Sequence, residues 1–360
     1  MKKFKCIHVG LGPFSLQRLQ INLNSDQFDV VAFVDIDIEN SIKRLDKLKN
    51  LPHDYKSKVF KSITDAKKKF EAEVCFIYVA SDKHPDLIIE SLNNNLHTFC
   101  VKSISCDIEN FVRIVKVKNE KKNLLLVQGL NNQWNEASIT MQNILKDKDL
   151  FGETLFGSCY IWGRQNLKSE NPVLDVTCEG IYFHSMVVHQ LSQIIPTLGL
   201  PKSVYAVSNE KENSDIGFLG IRATSSGSCI VEFDNNKTVT YFGTRGGHGN
   251  PFGFASRWSG RWLFHGTKGD LERYGGRLSL YQNGSQVRDY YLKDLSDNLI
   301  EDEKKQFEIF YLNLTGNFEK YDLQKQSLHS WLMMEACNLS SKHKEKIYLE
   351  DLLKKCNINI

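Results

Sequence analysis

The residues with types and spacings suited to chemistry begin at Gly10-Leu11-Gly12-Pro13-Phe14-Ser15, a turn directly after the strand-like run Phe4–Val9 and before a helix-patterned segment carrying Leu16, Leu19 and Leu23. Such a turn suits a pyrophosphate. Gly10 permits a tight exit from the strand, Gly12 removes the side chain that would block the phosphates, and the helix start offers N–H groups and positive dipole. Pro13 fits a first helical turn, where its missing N–H costs nothing. Phe14 completes the turn, and Ser15 stands at the third glycine of the fingerprint, small enough for helix and strand to pack closely. Asp35 ends the next strand, Asp29–Val34, at the spacing where a carboxylate accepts hydrogen bonds from adenosine ribose hydroxyls. Its charge repels a 2′-phosphate, so NAD is expected, with NADP as the alternative. Asp37 is a rival for the ribose role. Without a nucleotide, the same pattern reads as a strand–helix–strand crossover with a capping Asp.

Lys102 follows the apolar run Thr98–Val101, and His184 and His189 lie in a helix-patterned stretch, Tyr182–Leu198. Oxidising a carbinol requires a base for the hydroxyl proton, a role imidazole fills in both directions near neutral pH. A lysine ammonium at the end of a strand can stabilise the developing alkoxide. Each residue also has a plainer reading, Lys102 as a helix-start residue and the histidines as core or surface groups. The spacing of the two histidines fails the i, i+4 geometry of a helical metal pair, so no metal site is expected. Thr244–Gly253 is a glycine-rich loop leading to Arg257 and Trp258. It suits closure over a polar ligand, Trp258 facing a sugar ring and Arg245 or Arg257 binding hydroxyl or anionic groups. Trp162-Gly163-Arg164 reads the same way. The alternative for both is an exposed connection whose tryptophans pack against a sheet.

These residues must be positioned by two kinds of architecture. Through about residue 128, short apolar strands alternate with helix patterns, and the buried run Glu73–Val79 leads to Ala80-Ser81-Asp82-Lys83-His84. This predicts a Rossmann-like, doubly wound parallel sheet. The rest combines helix patterns at Ala137–Lys146 and Tyr182–Leu198 with short strands from Leu155–Trp162 to Val287–Tyr291, and ends in helices and a short tail. It predicts an α+β region with one large, mainly antiparallel or mixed sheet. Gln282-Asn283-Gly284-Ser285 is a hairpin turn in that sheet. The expected division is 1–128 for cofactor binding and 129–360 for substrate binding and oligomerisation, with C-terminal helices able to pack back on the first domain.

Lys+Arg 46 against Asp+Glu 43 leaves a net charge of +3, too even for a nucleic-acid footprint. No apolar run approaches the length that spans a bilayer, so neither nucleic acid nor membrane is an expected partner. Nine cysteines without a Cys-x-x-Cys pair fit reduced thiols and a cytoplasmic location.

With these motifs in place, the sequence resembles the Gfo/Idh/MocA family, the glucose–fructose oxidoreductase and inositol dehydrogenase group. The likeness covers nearly the whole chain, from the glycine loop and Asp35 through His84 and Lys102 to the histidine helix and Glu335–Ser341. Where the family commonly has Cys-Glu-Lys-Pro, this chain has Cys100-Val101-Lys102-Ser103, keeping the lysine. The family helix carries Asp-x-x-x-His; alignment on Gly199 matches His189 to the histidine and puts Ser185 in place of the Asp. The resemblance implies an oxidoreductase acting on a hydroxyl or keto group of a sugar, sugar derivative or cyclitol. Lys102 and His189 are then catalytic, and Ala80, Ser81, His84 and Lys102 join the turn and Asp35 as cofactor contacts. Trp162, Arg164, His184, Ser185, Arg245, Arg257 and Trp258 are expected around the substrate, and a homodimer or homotetramer is implied. Two other readings stay open, a non-catalytic sensor of NAD(P) and a sugar, and an NAD-dependent glycoside hydrolase.

Overall fold

The computed structural model describes residues 2–163, 178, 181–209, 226–245, 259–293, 299–319 and 321–358. The chain divides into two compact units, Met1–Gly129 with Gln306–Ser327, and Leu130–Lys305 with Leu328–Ile360.

The first unit is built on β1 (Phe4–Val9), β2 (Phe28–Val34), β3 (Val59–Phe60), β4 (Val74–Ile77), β5 (His97–Val101) and β6 (Leu126–Gly129). They pair in parallel in the order β3-β2-β1-β4-β5-β6, the doubly wound arrangement whose ligand crevice lies where the strand order reverses, beyond the carboxyl ends of β1 and β4. All four β4 side chains are buried, as a strand covered on both faces requires. The crossovers are α1 (Pro13–Leu23), α2 (Ile38–Leu45), α3 (Ile63–Lys69), α4 (His84–Asn93) and α5 (Ile108–Glu120). Asp37, Ser62 and Asp107 cap α2, α3 and α5 by accepting a backbone N–H three residues on. By contrast, α1 starts on Gly12 with no side-chain cap, leaving its first N–H groups directed outward.

Residues far along the chain complete this core. Phe307 and Phe310, on the helix Leu299–Leu314, pack against Phe76 and Phe99 with ring centroids between 5.3 and 5.9 Å apart. The edge strand β6 donates from Leu126 and Gln128 N–H to Gln324 Oε1 and Ser327 Oγ, at 3.0 and 2.9 Å. Side chains thus satisfy backbone groups that an open edge would expose.

The second unit contains β7 (Thr154–Trp162), β8 (Ser203–Ser208), β9 (Ser226–Glu232), β10 (Thr238–Thr244), β11 (Arg261–Gly266), β12 (Asp270–Tyr274), β13 (Arg277–Gln282), β14 (Ser285–Tyr291) and β15 (Ile347–Tyr348). They form one sheet in the order β14-β13-β12-β11-β7-β10-β9-β8-β15. Only β7 and β10 pair in parallel among the described strands, so the sheet is mixed, as expected. Its central strands alternate buried and exposed side chains, the pattern of a sheet covered on one face. Asn283 and Gly284 both take positive φ, 51° and 74°, as the type I′ hairpin requires.

Three details depart from the sequence pattern. The stretch expected as one helix over Tyr182–Leu198 is broken into a π-helical turn Phe183–Val187, a helix Val188–Leu191, a 3₁₀ turn Ser192–Ile194 and a helix Ile195–Leu198. Pro196 enforces part of this, because it has no N–H to donate and its ring crowds the preceding turn. The short tail supplies β15 and a helix Leu349–Lys355, elements the sequence pattern did not single out. Cys6, Cys75, Cys100, Cys159, Cys229, Cys337 and Cys356 are free thiols, whereas Cys106 and Cys178 are disulfide-bonded, which corrects the expectation that all would be reduced. Among the short strands expected between Leu155 and Tyr291, one read from the sequence at Gly217–Ala223 lies outside the described residues. No helix among the described residues is long and apolar enough to cross a membrane.

Candidate functional site

In the first unit the chemistry gathers at the carboxyl ends of β1, β2, β4 and β5. The exit from β1 turns at Gly10, whose φ of +89° and whose hypothetical Cβ, 2.2 Å from the Tyr78 carbonyl oxygen, both demand glycine. A Cβ on Gly12 would meet nothing within 4 Å, so the turn faces open space above the uncapped start of α1. The turn fits a pyrophosphate: room beside the backbone, a helix start without a side-chain cap and positive dipole coincide. Pro13 occupies the first helical turn. Phe14 is 54% exposed, with the Arg18 guanidinium 3.7 Å from its ring centre.

Asp35 is fixed at the end of β2. Its Oδ2 accepts from Leu11 N–H (2.7 Å) and its Oδ1 from Asp37 N–H (3.0 Å), so the carboxylate is tied to the glycine turn and stays half-exposed. Each oxygen keeps further acceptor capacity for a hydroxyl. Its rival Asp37 is spent as the cap of α2, accepting from the Asn40 backbone and side chain, contacts that hold its carboxyl below the usual range.

Two residues expected to touch a cofactor face inward instead. Ser15 is 1% exposed, its hydroxyl engaged with Gly10 O and His8. His84 is fully buried between two carbonyl oxygens, with Nδ1 2.6 Å from Ser103 O and Nε2 3.0 Å from Val79 O. Burial lowers its pKa while the two carbonyls oppose that shift. His84 therefore ties the chain after β4 to the residue following Lys102. Ala80 is exposed and opens the 3₁₀ turn that buries Ser81. Lys102, half-buried, directly follows β5.

In the second unit, His184 is buried, its Nε2 2.9 Å from Glu335 Oε2 and its ring centre 5.5 Å from that of Trp331. Ser185, also buried, accepts from Nη1 of Arg245 at 3.0 Å, and that arginine is itself only 1% exposed. Both anchored residues sit in the π-helical turn Phe183–Val187, a single-turn widening of the kind found at functional sites. His189, one turn on, is half-exposed, and Trp162 is half-buried at the end of β7. Arg164, Arg257 and Trp258 lie outside the described residues. No cluster of metal-ligating side chains occurs among the described residues.

Three residues with structural roles here were not singled out: His8, Glu335 and Trp331. His8 had a signal, a polar residue inside an apolar strand. Glu335 opens the ending Glu335–Ser341 that carries part of the resemblance, with no role attached to it there.

Residues 4–129 match the profile of a family described as "Oxidoreductase family, NAD-binding Rossmann fold", GFO_IDH_MocA. By sequence, no curated protein matches the chain. Solved structures with the same fold include an oxidoreductase from Agrobacterium radiobacter in complex with NAD+, L-tartaric acid and magnesium, 13% identical with a TM-score of 0.79, covering 98% of this chain and 100% of that one. An oxidoreductase from Thermotoga maritima is 18% identical, with a TM-score of 0.74 and the same coverage. A myo-inositol 2-dehydrogenase from Lactobacillus plantarum is 16% identical, with a TM-score of 0.73 over 96% of this chain and 99% of that one.

Proposed function

We propose that this chain, whose residues 4–129 match the NAD-binding oxidoreductase family model GFO_IDH_MocA, interconverts a secondary hydroxyl and the matching ketone on a sugar, sugar derivative or cyclitol, using NAD in preference to NADP. The observation that carries the reading is the turn itself, an open Gly12 above an uncapped helix with Asp35 hydrogen-bonded to Leu11 beside it. Structural relatives that include a myo-inositol 2-dehydrogenase and a protein bound to L-tartaric acid support a polyhydroxylated substrate.

NAD, when bound, supplies the acceptor for the hydride that leaves the carbinol carbon. The chain's residues handle the rest. Gly10 turns the backbone sharply out of β1, Gly12 leaves the approach to the uncapped start of α1 open for the pyrophosphate, and Asp35 accepts from the ribose hydroxyls and repels a 2′-phosphate. Lys102 is assigned the charge that stabilises the alkoxide, and His189 the removal of the hydroxyl proton. Ser185 accepts from the buried Arg245, where the family has an Asp. That missing carboxylate favours a second reading, a sensor that binds the same ligands without turnover.

NADH formation measured across a panel of sugars and cyclitols decides between them: turnover supports the enzyme, and substrate-dependent NAD binding without turnover supports the sensor. An NAD-dependent hydrolase would instead cleave a glycoside with no net NADH.

A second copy of the chain is the proposed partner. The outer face of the second unit's sheet exposes Phe156, Tyr205, Val207, Ile230, Phe242 and Leu263 to between 40% and 45%. These come from adjacent strands, with Tyr205 directly opposite Ile230. An apolar face of this kind is normally covered by a partner. Light scattering should report a dimer or tetramer at micromolar concentration; a monomer contradicts the assignment.

A further inference from the structure

The strand entering the nucleotide turn carries a fully buried histidine that the proposed reaction does not use. His8 Nε2 lies 2.7 Å from Ser15 Oγ, and Ser15 Oγ donates to Gly10 O at 2.5 Å. A serine hydroxyl has one proton, and Gly10 O can only accept it. His8 must therefore donate, which fixes its Nε2–H tautomer and leaves Nδ1 as a buried atom with no hydrogen-bond partner. Burial pushes the His8 pKa down to about 3, so the ring is neutral throughout the physiological range. It stacks on Tyr78, with ring centres 5.3 Å apart, and the Tyr78 carbonyl lies where a Cβ on Gly10 would fall.

The turn is thus held from three sides. Gly10 N–H donates to Val34 O at 2.8 Å, Gly10 O accepts from Ser15, and Leu11 N–H donates to Asp35. We propose that His8 and Ser15 are positioning residues, a side-chain lock that holds the glycine turn in its ligand-ready shape at the place where the generic fingerprint has a third glycine. Neither side chain touches the cofactor: Ser15 is 1% exposed and His8 fully buried. Glycine at position 15 would complete the motif on paper. In this chain it would strand the His8 N–H and the Gly10 carbonyl and free the turn to move.

The inference rests on the nucleotide reading of the turn, but its test also works without a nucleotide. Isothermal calorimetry with NAD should show Ser15→Gly and His8→Leu each weakening binding about 10-fold, the order expected when one buried hydrogen bond is lost. The double variant should lose no more than either single one, because both break the same chain of bonds. His8→Gln keeps a donor near the Nε2 position and should bind NAD within about 3-fold of wild type. In the absence of nucleotide, amide exchange at Gly10 and Leu11 should be about 10-fold faster in Ser15→Gly. Nitrogen-15 NMR of the wild type should show a single Nε2–H tautomer for His8 with no titration between pH 5 and pH 8.

If the wild type binds no NAD, the proposed function fails, and the lock is judged by amide exchange and the His8 tautomer alone. Ser15→Gly that binds NAD as tightly as wild type, with unchanged Leu11 exchange, overturns the lock. So does a His8 ring that is Nδ1-protonated or titrates near neutrality, a result that stands even if the variants fail to fold.

Discussion

The glycine turn of the first unit and the histidine-bearing segment of the second show how differently a sequence can encode chemistry. The turn is specified locally. Gly10 needs its positive φ, Gly12 its open side and Pro13 its place at a helix start, and each requirement is a property of one residue type in one backbone state. The histidine segment is specified from afar. His184 is fixed by Glu335 and Trp331, and Ser185 by Arg245, partners supplied by a distant helix and strand end. A motif built from backbone conformation can be read along the chain, whereas one built from tertiary contacts cannot.

The largest expected effect tests the second half of that comparison. His184→Asn should remove one partner of a buried pair and lower stability by about 3–5 kcal/mol, read as a shift in the urea midpoint. His189→Asn, at a half-exposed position, should leave the midpoint nearly unchanged. Equal losses would mean that the buried His184 and the half-exposed His189 do not differ in what they contribute to the fold.

Next in size is a pH effect in the turn. Between pH 6.5 and about 3 the unfolded chain protonates His8 while the folded chain does not, so the unfolded state binds more protons and stability rises with pH across that window. Going from pH 7 to pH 5 should therefore cost wild type about 2 kcal/mol more than His8→Gln. Parallel stability curves for the two proteins would show that His8 is not held neutral by burial.

Smaller again is cofactor choice. Asp35→Ser should narrow the preference for NAD over NADP by about 10-fold in calorimetry, since the like charge facing a 2′-phosphate is gone. Wild type that binds NADP more tightly than NAD would remove Asp35 from this role, and its bonds to Leu11 and Asp37 would then be purely structural.

The parallel sheet was legible because its strands are near-continuous apolar runs separated by helix patterns, and the Asn283-Gly284 hairpin because type I′ geometry favours those two residues. The division of Tyr182–Leu198 into four short pieces was not, since helical periodicity does not report a π-helical turn and Pro196 marks only one break. Within the turn, the residue types suggested close packing at Ser15, but only the fold shows that its hydroxyl is spent on Gly10 and His8. The setting of His84 was hidden for a similar reason. A histidine after a strand looks available in sequence, and its burial depends on two carbonyl groups that the fold brings to it.

Lys102 and His189 carry the proposed chemistry, and steady-state kinetics of Lys102→Met and His189→Asn with the substrate found in the panel tests their roles most directly. Each variant should lose about 100- to 10,000-fold in kcat/KM, the range for a general acid–base or electrostatic group, while NAD affinity stays close to wild type. Near wild-type kcat/KM in both variants would contradict the mechanism.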